Sequence, residues 1–267
     1  MTVGGPAVTA GGPAVTAGPV LAVSEVTVRF GGVVAVRDAS LELREKEVVG
    51  LIGPNGAGKS SLIGALGGQI PVTRGRVLLG GADITAAPPH RRARLGLCRT
   101  FQLTSTFDDL TVFENLLVAA LGADGSRLRS SLAGGRARQA RVAAAMDSVW
   151  DRLTEFDMAE VANLYGSELS GGQRRLVEIM RCLMRSPRVL LLDEPMVGVA
   201  PHLVERIQGE CQRIRDSGVS IIIVEHALEV VQAICDRVVV MASGSVVAQA
   251  TYAEAMSSGA VREAYFA

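Results

Sequence analysis

An uninterrupted apolar run, Val48 to Ile52, delivers the chain straight into Gly53-Pro-Asn-Gly-Ala-Gly-Lys59-Ser60, and Leu62, Ala65 and Leu66 follow at helical spacing. Few folds accept that succession. The pattern GxxxxGK[ST] between a buried strand and a helix is a loop whose glycines let backbone N–H groups turn inward. The positive end of the following helix dipole adds to them, and together they form an anion nest. Lys59 then supplies a point charge for the terminal phosphates of a nucleotide, and the Ser60 hydroxyl a ligand for Mg²⁺. Only two of the 27 basic residues are lysines, Lys46 and this one, so the compact ammonium stands where it is chemically useful. Gly53, Pro54, Asn55, Gly56, Ala57, Gly58, Lys59, Ser60 and Ser61 are the first candidate binding residues.

A second apolar run, Val189 to Leu192, ends abruptly in Asp193-Glu194-Pro195. In a parallel sheet, ligands sit outside the carboxyl ends of the strands, which places both acids at the edge that carries the phosphate loop. Asp193 is the candidate to hold Mg²⁺ through its water shell, and Glu194 the candidate general base that polarises an attacking water. Val219 to Val224 follows a turn at Ser217-Gly218 and ends in Glu225-His226, so His226 comes to the same edge. There it can meet a γ-phosphate and the water, although a single histidine in such a place is more often a cap or a surface residue. Gln102, after Arg99-Thr-Phe101, offers a neutral amide able to bridge the metal and the water.

Strands are expected from near Ala22 through Val28, at Leu41 to Leu43, at Arg76 to Leu79 and at Val238 to Met241, besides those named above. Helical spacing holds from Thr111 through Ala119, from about Ala137 to Phe156, and after Pro201 and His226, with a polar loop over Arg127 to Arg138. Alternating strands and helices imply a largely parallel sheet covered on both faces, interrupted by a helical insertion over residues 104–186. Residues 1–21 contain GGPAVTA twice, at Gly4 to Ala10 and Gly11 to Ala17. With three prolines and no charge, this stretch reads as a disordered tail or an upstream start site. Net charge is zero with a pI near 6.8, which gives no whole-protein attraction to nucleic acid or anionic lipid. Four scattered cysteines without a CxxC pair argue against a zinc site and a disulfide framework and fit a reducing compartment. No apolar run approaches the roughly 20 residues that span a bilayer.

Leu169-Ser170-Gly171-Gly172-Gln173 opens a helix carrying Leu176, Ile179, Met180 and Leu183, and is physically a second helix N-terminus with open amides, or an ordinary serine cap. Taken in order with the other motifs, it resembles the signature of ATP-binding cassette (ABC) ATPases, and the resemblance runs from about Ala22 to the C-terminus. It implies a P-loop NTPase cassette: α/β, with a mostly parallel core sheet, an antiparallel β subdomain and the helical insertion. Gly53 to Ser60 looks like the family's Walker A loop, Gln102 its Q-loop glutamine, Ser170 to Gln173 its signature, Asp193 and Glu194 its Walker B with catalytic glutamate, and His226 its switch histidine. Phe30 stands where the family stacks an aromatic on adenine. The ligands so implied are ATP and Mg²⁺.

In that family two cassettes pair head to tail, so the signature of one closes on the ATP of the other. The resemblance thus implies a second ATPase subunit, identical or different, and transmembrane permease subunits whose coupling helix lands near Gln102 to Thr111. It also implies an indirect link to a solute-binding protein, no nucleic acid, and a cytoplasmic position on the inner face of the membrane. Arg29-Phe-Gly-Gly32, Cys98-Arg-Thr-Phe-Gln102, the insertion through Ala123 to Ala145, Gln173-Arg-Arg-Leu-Val-Glu178 and Glu263-Ala-Tyr-Phe266 are similar to branched-chain amino acid importer ATPases. Urea or amide importers and lipopolysaccharide export share most of these stretches. Two positions depart from the family pattern: Ala200 replaces a polar D-loop residue, and Ala227 replaces the aspartate after the histidine. A soluble ABC protein acting on nucleic acid would bring two cassettes or basic tracts, and a P-loop kinase or GTPase would leave the Ser170 motif idle.

Overall fold

The computed structural model describes residues 18–100, 106–122 and 135–266. The expected tail at 1–17, Phe101 and Gln102, and 123–134 of the insertion lie outside the described residues.

Two sheets make the frame, with strands numbered in chain order. β1 (Leu21–Phe30), β2 (Val33–Leu43), β4 (Arg74–Leu79) and β5 (Ala82–Asp83) form an antiparallel sheet in the order β2-β1-β4-β5. β3 (Val48–Ile52), β6 (Leu97–Arg99), β7 (Val189–Asp193), β8 (Ser220–Val224), β9 (Arg237–Ala242) and β10 (Ser245–Ala250) form the second, in the order β10-β9-β3-β8-β7-β6. All its pairings are parallel except the β9–β10 edge. The register sets Leu51 and Asp193 on either side of Val224. The turns leaving β3, β7 and β8 therefore emerge side by side at one sheet edge.

Burial explains the continuous apolar runs. All five residues of β3, β7 and β8 are buried, because this sheet is covered on both faces. Val49, Leu51, Leu191 and Ile222 pack with α1 (Lys59–Gly67) and the antiparallel sheet. Val48, Leu190, Leu192, Ile221 and Ile223 pack on the other side, with the helical insertion and α6 (Pro201–Asp216). The insertion comprises α3 (Val112–Gly122), α4 (Gly135–Glu155) and α5 (Gly171–Leu183). It shares its core with the sheet through Leu116, Leu153, Phe156 and Ile179. Thr111 and Glu114 form the capping box that starts α3. A third cluster seats α7 (Leu228–Ile234), α8 (Tyr252–Ser257) and α9 (Gly259–Phe266) against β3 and β9.

Several elements differ from the sequence expectation. β1 begins at Leu21, with Val20 already buried. α4 begins at Gly135, so Gly135 to Arg138 are helical rather than loop. β6, β10, α2 (Pro89–Arg94), α8 and α9 were not expected. Three residues suffice for β6 because β7 supplies its hydrogen bonds, and β10 is an edge strand without a fully buried residue. Among the described residues no helix is long and apolar enough to cross a membrane.

Candidate active site

The phosphate loop is held by its own backbone before any ligand is considered. Ala57 N–H donates to Pro54 O at 3.2 Å, Gly244 N–H to Ala57 O at 3.1 Å, and Leu62 N–H to Gly58 O at 2.9 Å. Gly58 caps α1 at φ 98°, and a Cβ there would stand 2.4 Å from Ala35 O, so both conformation and space require glycine. Lys59 lies buried and donates to Gly53 O at 2.7 Å and Pro54 O at 3.0 Å. Burial lowers its pKa, and the charges of Glu194 and Asp193 pull it back up. Lys59 and Glu194 line one cavity.

A cavity of about 500 Å³ opens over this loop. Asn55 to Ser61 form its floor, and Glu194 and His226 stand on its wall. His226 Nε2 lies 3.1 Å from Glu194 Oε1. Val33 also lines the cavity and is paired across the hairpin with half-exposed Phe30, so an apolar surface adjoins it.

Glu194 is pinned. Its φ is 49°, a left-handed conformation uncommon for a non-glycine residue. Its N–H donates to Val224 O at 3.0 Å, and its carbonyl accepts from Arg175 Nη2 at 3.1 Å. Arg175 also pairs with Glu178 at 2.7 Å. Glu225, buried, accepts from Met196 N–H at 2.9 Å and His226 N–H at 3.1 Å and so braces the turns on both sides of the Glu194–His226 pair. Burial raises the Glu225 pKa against those hydrogen bonds. The Tyr265 phenol of α9 is pushed up to about 12 by burial, against a backbone hydrogen bond from Gly53, so the last helix touches the first loop residue.

Asp193 is fully buried. Its Oδ2 pairs with Arg99 Nη2 at 2.7 Å, while Oδ1 has no hydrogen-bond partner among the described residues. An orphaned, ionisable oxygen at a strand end suits a cation or its water shell. No group of three or more His, Cys, Asp or Glu that could hold a metal occurs among the described residues. Ser60 and Asp193 are the described residues of fitting chemistry.

Ser170, Gly171, Gly172 and Gln173 do not line this cavity. Ser170 caps α5 in a full capping box with Gln173, Ser170 N–H donating to Gln173 Oε1 at 2.9 Å and Gln173 N–H to Ser170 Oγ at 3.3 Å. Ser170 and Gly171 are exposed, and first-turn amides of a helix have no acceptor within it. Ala200 caps α6 without a side-chain hydrogen bond. A separate cavity of about 420 Å³ lies beneath the insertion, lined by Ala93, Arg99, Phe107, Val118 and Arg181 among others. All four cysteines are free.

Arg99, Arg175, Glu225 and Tyr265 were not singled out from sequence for these contacts. Arg175 and Glu178 offered the one local signal, opposite charges three apart on a helix.

Residues 36–197 match the family model described as ABC transporter. The chain is 36% identical over 248 residues to the high-affinity branched-chain amino acid transport ATP-binding protein BraF of Pseudomonas aeruginosa, covering 92% of this chain and 97% of that protein. Identity is likewise 36%, over 252 residues and with the same coverage, to the corresponding protein LivG of Salmonella typhimurium. The crystal structure of a nucleotide-free ATP-binding cassette from an ABC transporter superposes with a TM-score of 0.80 at 29% identity, covering 93% of this chain and 99% of that one. Loop, strand-end acids, histidine and fold all lead to one assignment: this chain belongs to the ABC transporter family and is an ABC-type ATPase.

Proposed function

We propose that this ATPase powers a membrane importer of a small solute, branched-chain amino acids in the first place, as a peripheral subunit on the cytoplasmic face. The observation that carries the chemistry is the single cavity bounded by Lys59, Ser60, Glu194 and His226. Similarity to BraF and LivG over nearly their whole lengths supports the solute class. Permease subunits, and through them a solute-binding protein, are the partners that follow, and the cavity beneath the insertion suits a permease segment.

Each residue has a task. Free backbone N–H groups of the loop between Asn55 and Ser61 and the Lys59 ammonium hold the β- and γ-phosphates, and Phe30 offers its ring to the base. Ser60 and Asp193, with Gln102, would hold Mg²⁺, which when bound shields the phosphate charge. Glu194 takes a proton from water as the water oxygen bonds to the γ-phosphorus and the bond to the β-phosphate oxygen breaks, leaving ADP and phosphate. His226 orients Glu194 and meets the γ-phosphate. The exposed first turn of α5 at Ser170 to Gln173, outside this chain's own cavity, would serve the nucleotide of a second cassette.

The test is uptake of labelled leucine, isoleucine and valine by cells lacking this gene. Loss of uptake, restored by the wild-type chain but not by Lys59→Ala, is expected. Undiminished uptake of all three by the deletion strain contradicts the solute assignment.

A further inference from the structure

α1, whose first turn carries Lys59 and Ser60, contains two buried glycines, Gly64 and Gly67. Glycine is a poor helix former, and this helix spends two of its nine positions on it. The space they leave is filled from outside. A Cβ at Gly67 would come within 2.2 Å of Gln69 Oε1 and 3.0 Å of Arg99 Cδ. A Cβ at Gly64 would meet Ile70 Cδ1 at 2.5 Å and Arg99 Nη1 at 3.5 Å. The missing side chains thus form a slot that seats Arg99 and Gln69 along the nucleotide-loop helix.

In that slot the Arg99 fork is spent on two acceptors. Nη1 donates to Gln69 Oε1 at 3.0 Å and Nη2 to Asp193 Oδ2 at 2.7 Å. Asp193 is fully buried, and with Oδ2 taken its remaining oxygen, Oδ1, is the one left without a partner among the described residues. Arg99 and Gln69 also line the cavity beneath the helical insertion. One side chain therefore touches both the carboxylate at the ion site and the wall of a second cavity.

We infer that Arg99 is a positioning residue for the ion site: it holds Asp193 by Oδ2 so that Oδ1 is presented to Mg²⁺ or its water shell, and through Gln69 it ties that carboxylate to the cavity beneath the insertion. This rests on the assignment of Asp193 to Mg²⁺ made above. A planar guanidinium fixes two acceptors at set angles, which the single ammonium of lysine cannot do. Groups that orient a metal ligand typically change metal affinity about 10- to 100-fold when removed.

The experiment is a Mg²⁺ titration of the full chain at a fixed concentration of a fluorescent ATP analogue, repeated in EDTA, on wild type, Arg99→Met, Arg99→Lys and Gln69→Leu. Arg99→Met should raise the Mg²⁺ midpoint by about tenfold or more, with metal-free binding of the analogue unchanged. Arg99→Lys should lie between it and wild type. Gln69→Leu, at an exposed position, should move the midpoint severalfold the same way. Because Arg99→Met leaves a buried carboxylate without its cation, Arg99→Lys and Gln69→Leu decide the matter if that variant does not fold. A wild-type midpoint in both, or equal losses with and without Mg²⁺, overturns the inference. Wild-type binding that shows no Mg²⁺ dependence overturns the Asp193 assignment itself.

Discussion

Ser170 separates two roles that one side chain can hold at once. Its hydroxyl caps α5 in a capping box, and the exposed first turn that it opens is proposed to meet a neighbouring cassette's phosphate. Aspartate caps a helix about as well as serine but carries a negative charge toward that phosphate. Ser170→Asp should therefore keep its thermal midpoint within about 2 °C, since equivalent caps differ by only a few tenths of a kcal/mol. ATP turnover of the assembled transporter should fall by more than tenfold, because a like charge opposes the developing charge on the phosphate. Unchanged turnover would leave Ser170 a cap and nothing more. At this scale, legibility followed the range of the chemistry. Lys59 and Ser60 announce themselves because a nest, a charge and a hydroxyl lie within eight consecutive positions, and Asp193 and Glu194 because an apolar strand has no other use for two acids. Arg99 and Glu225 stayed silent because their partners are remote in sequence: 94 positions separate Arg99 from Asp193, and 29 separate Glu225 from Met196.

Among elements, α1 depends on an arginine that no motif marks. Arg92 of α2 is 1% exposed, and its guanidinium donates to Ala65 O at 2.7 Å and Leu66 O at 2.6 Å, at the carboxyl end of α1. It also reaches Ala87 O at 2.8 Å and Thr85 O at 2.7 Å, tying the turn after β5 to the same point. Terminal helix carbonyls have no intrahelical donors, and a cation there also complements the dipole. Arg92→Met removes all four donations from a buried site. It should cost about 2–4 kcal/mol in urea-induced unfolding, since Leu66 O and the turn carbonyls lose this donor while Ala65 O keeps the Gly68 N–H, and each buried acceptor left unpaired costs about 1–3 kcal/mol. A loss below about 1 kcal/mol would show that water replaces the guanidinium there. Among the strands that were legible, β3, β7 and β8 are buried on both faces, where apolar residues must run without a break, and β1 shows the alternation of a strand with one face buried. β6 was not, because three residues carry no periodicity and its pairing comes from β7. α2 was hidden by its composition, with arginines at three of six positions and the one that faces inward indistinguishable from its neighbours.

For the molecule as a whole, the proposed assembly assigns two surfaces of one chain to different nucleotides. The cavity over α1 holds the loop, Glu194 and His226, while the Ser170 end of α5 lies outside it. Within the chain they are mechanically joined, because Arg175 of α5 holds the carbonyl of Glu194. Any rotation of the insertion would bear on the backbone of the proposed base, a physical route by which closing on a second cassette would set the timing of hydrolysis. All of this turns on Glu194 being the group that activates water. The most direct measurement is steady-state ATP turnover by Glu194→Gln at saturating Mg-ATP, with bound nucleotide quantified on the same sample. Loss of a general base costs typically about 10²- to 10⁴-fold, so turnover should fall by at least about a hundredfold while nucleotide binding stays at the wild-type level. Turnover equal to wild type, with nucleotide bound, would contradict the assignment of Glu194 and the hydrolytic mechanism built on it.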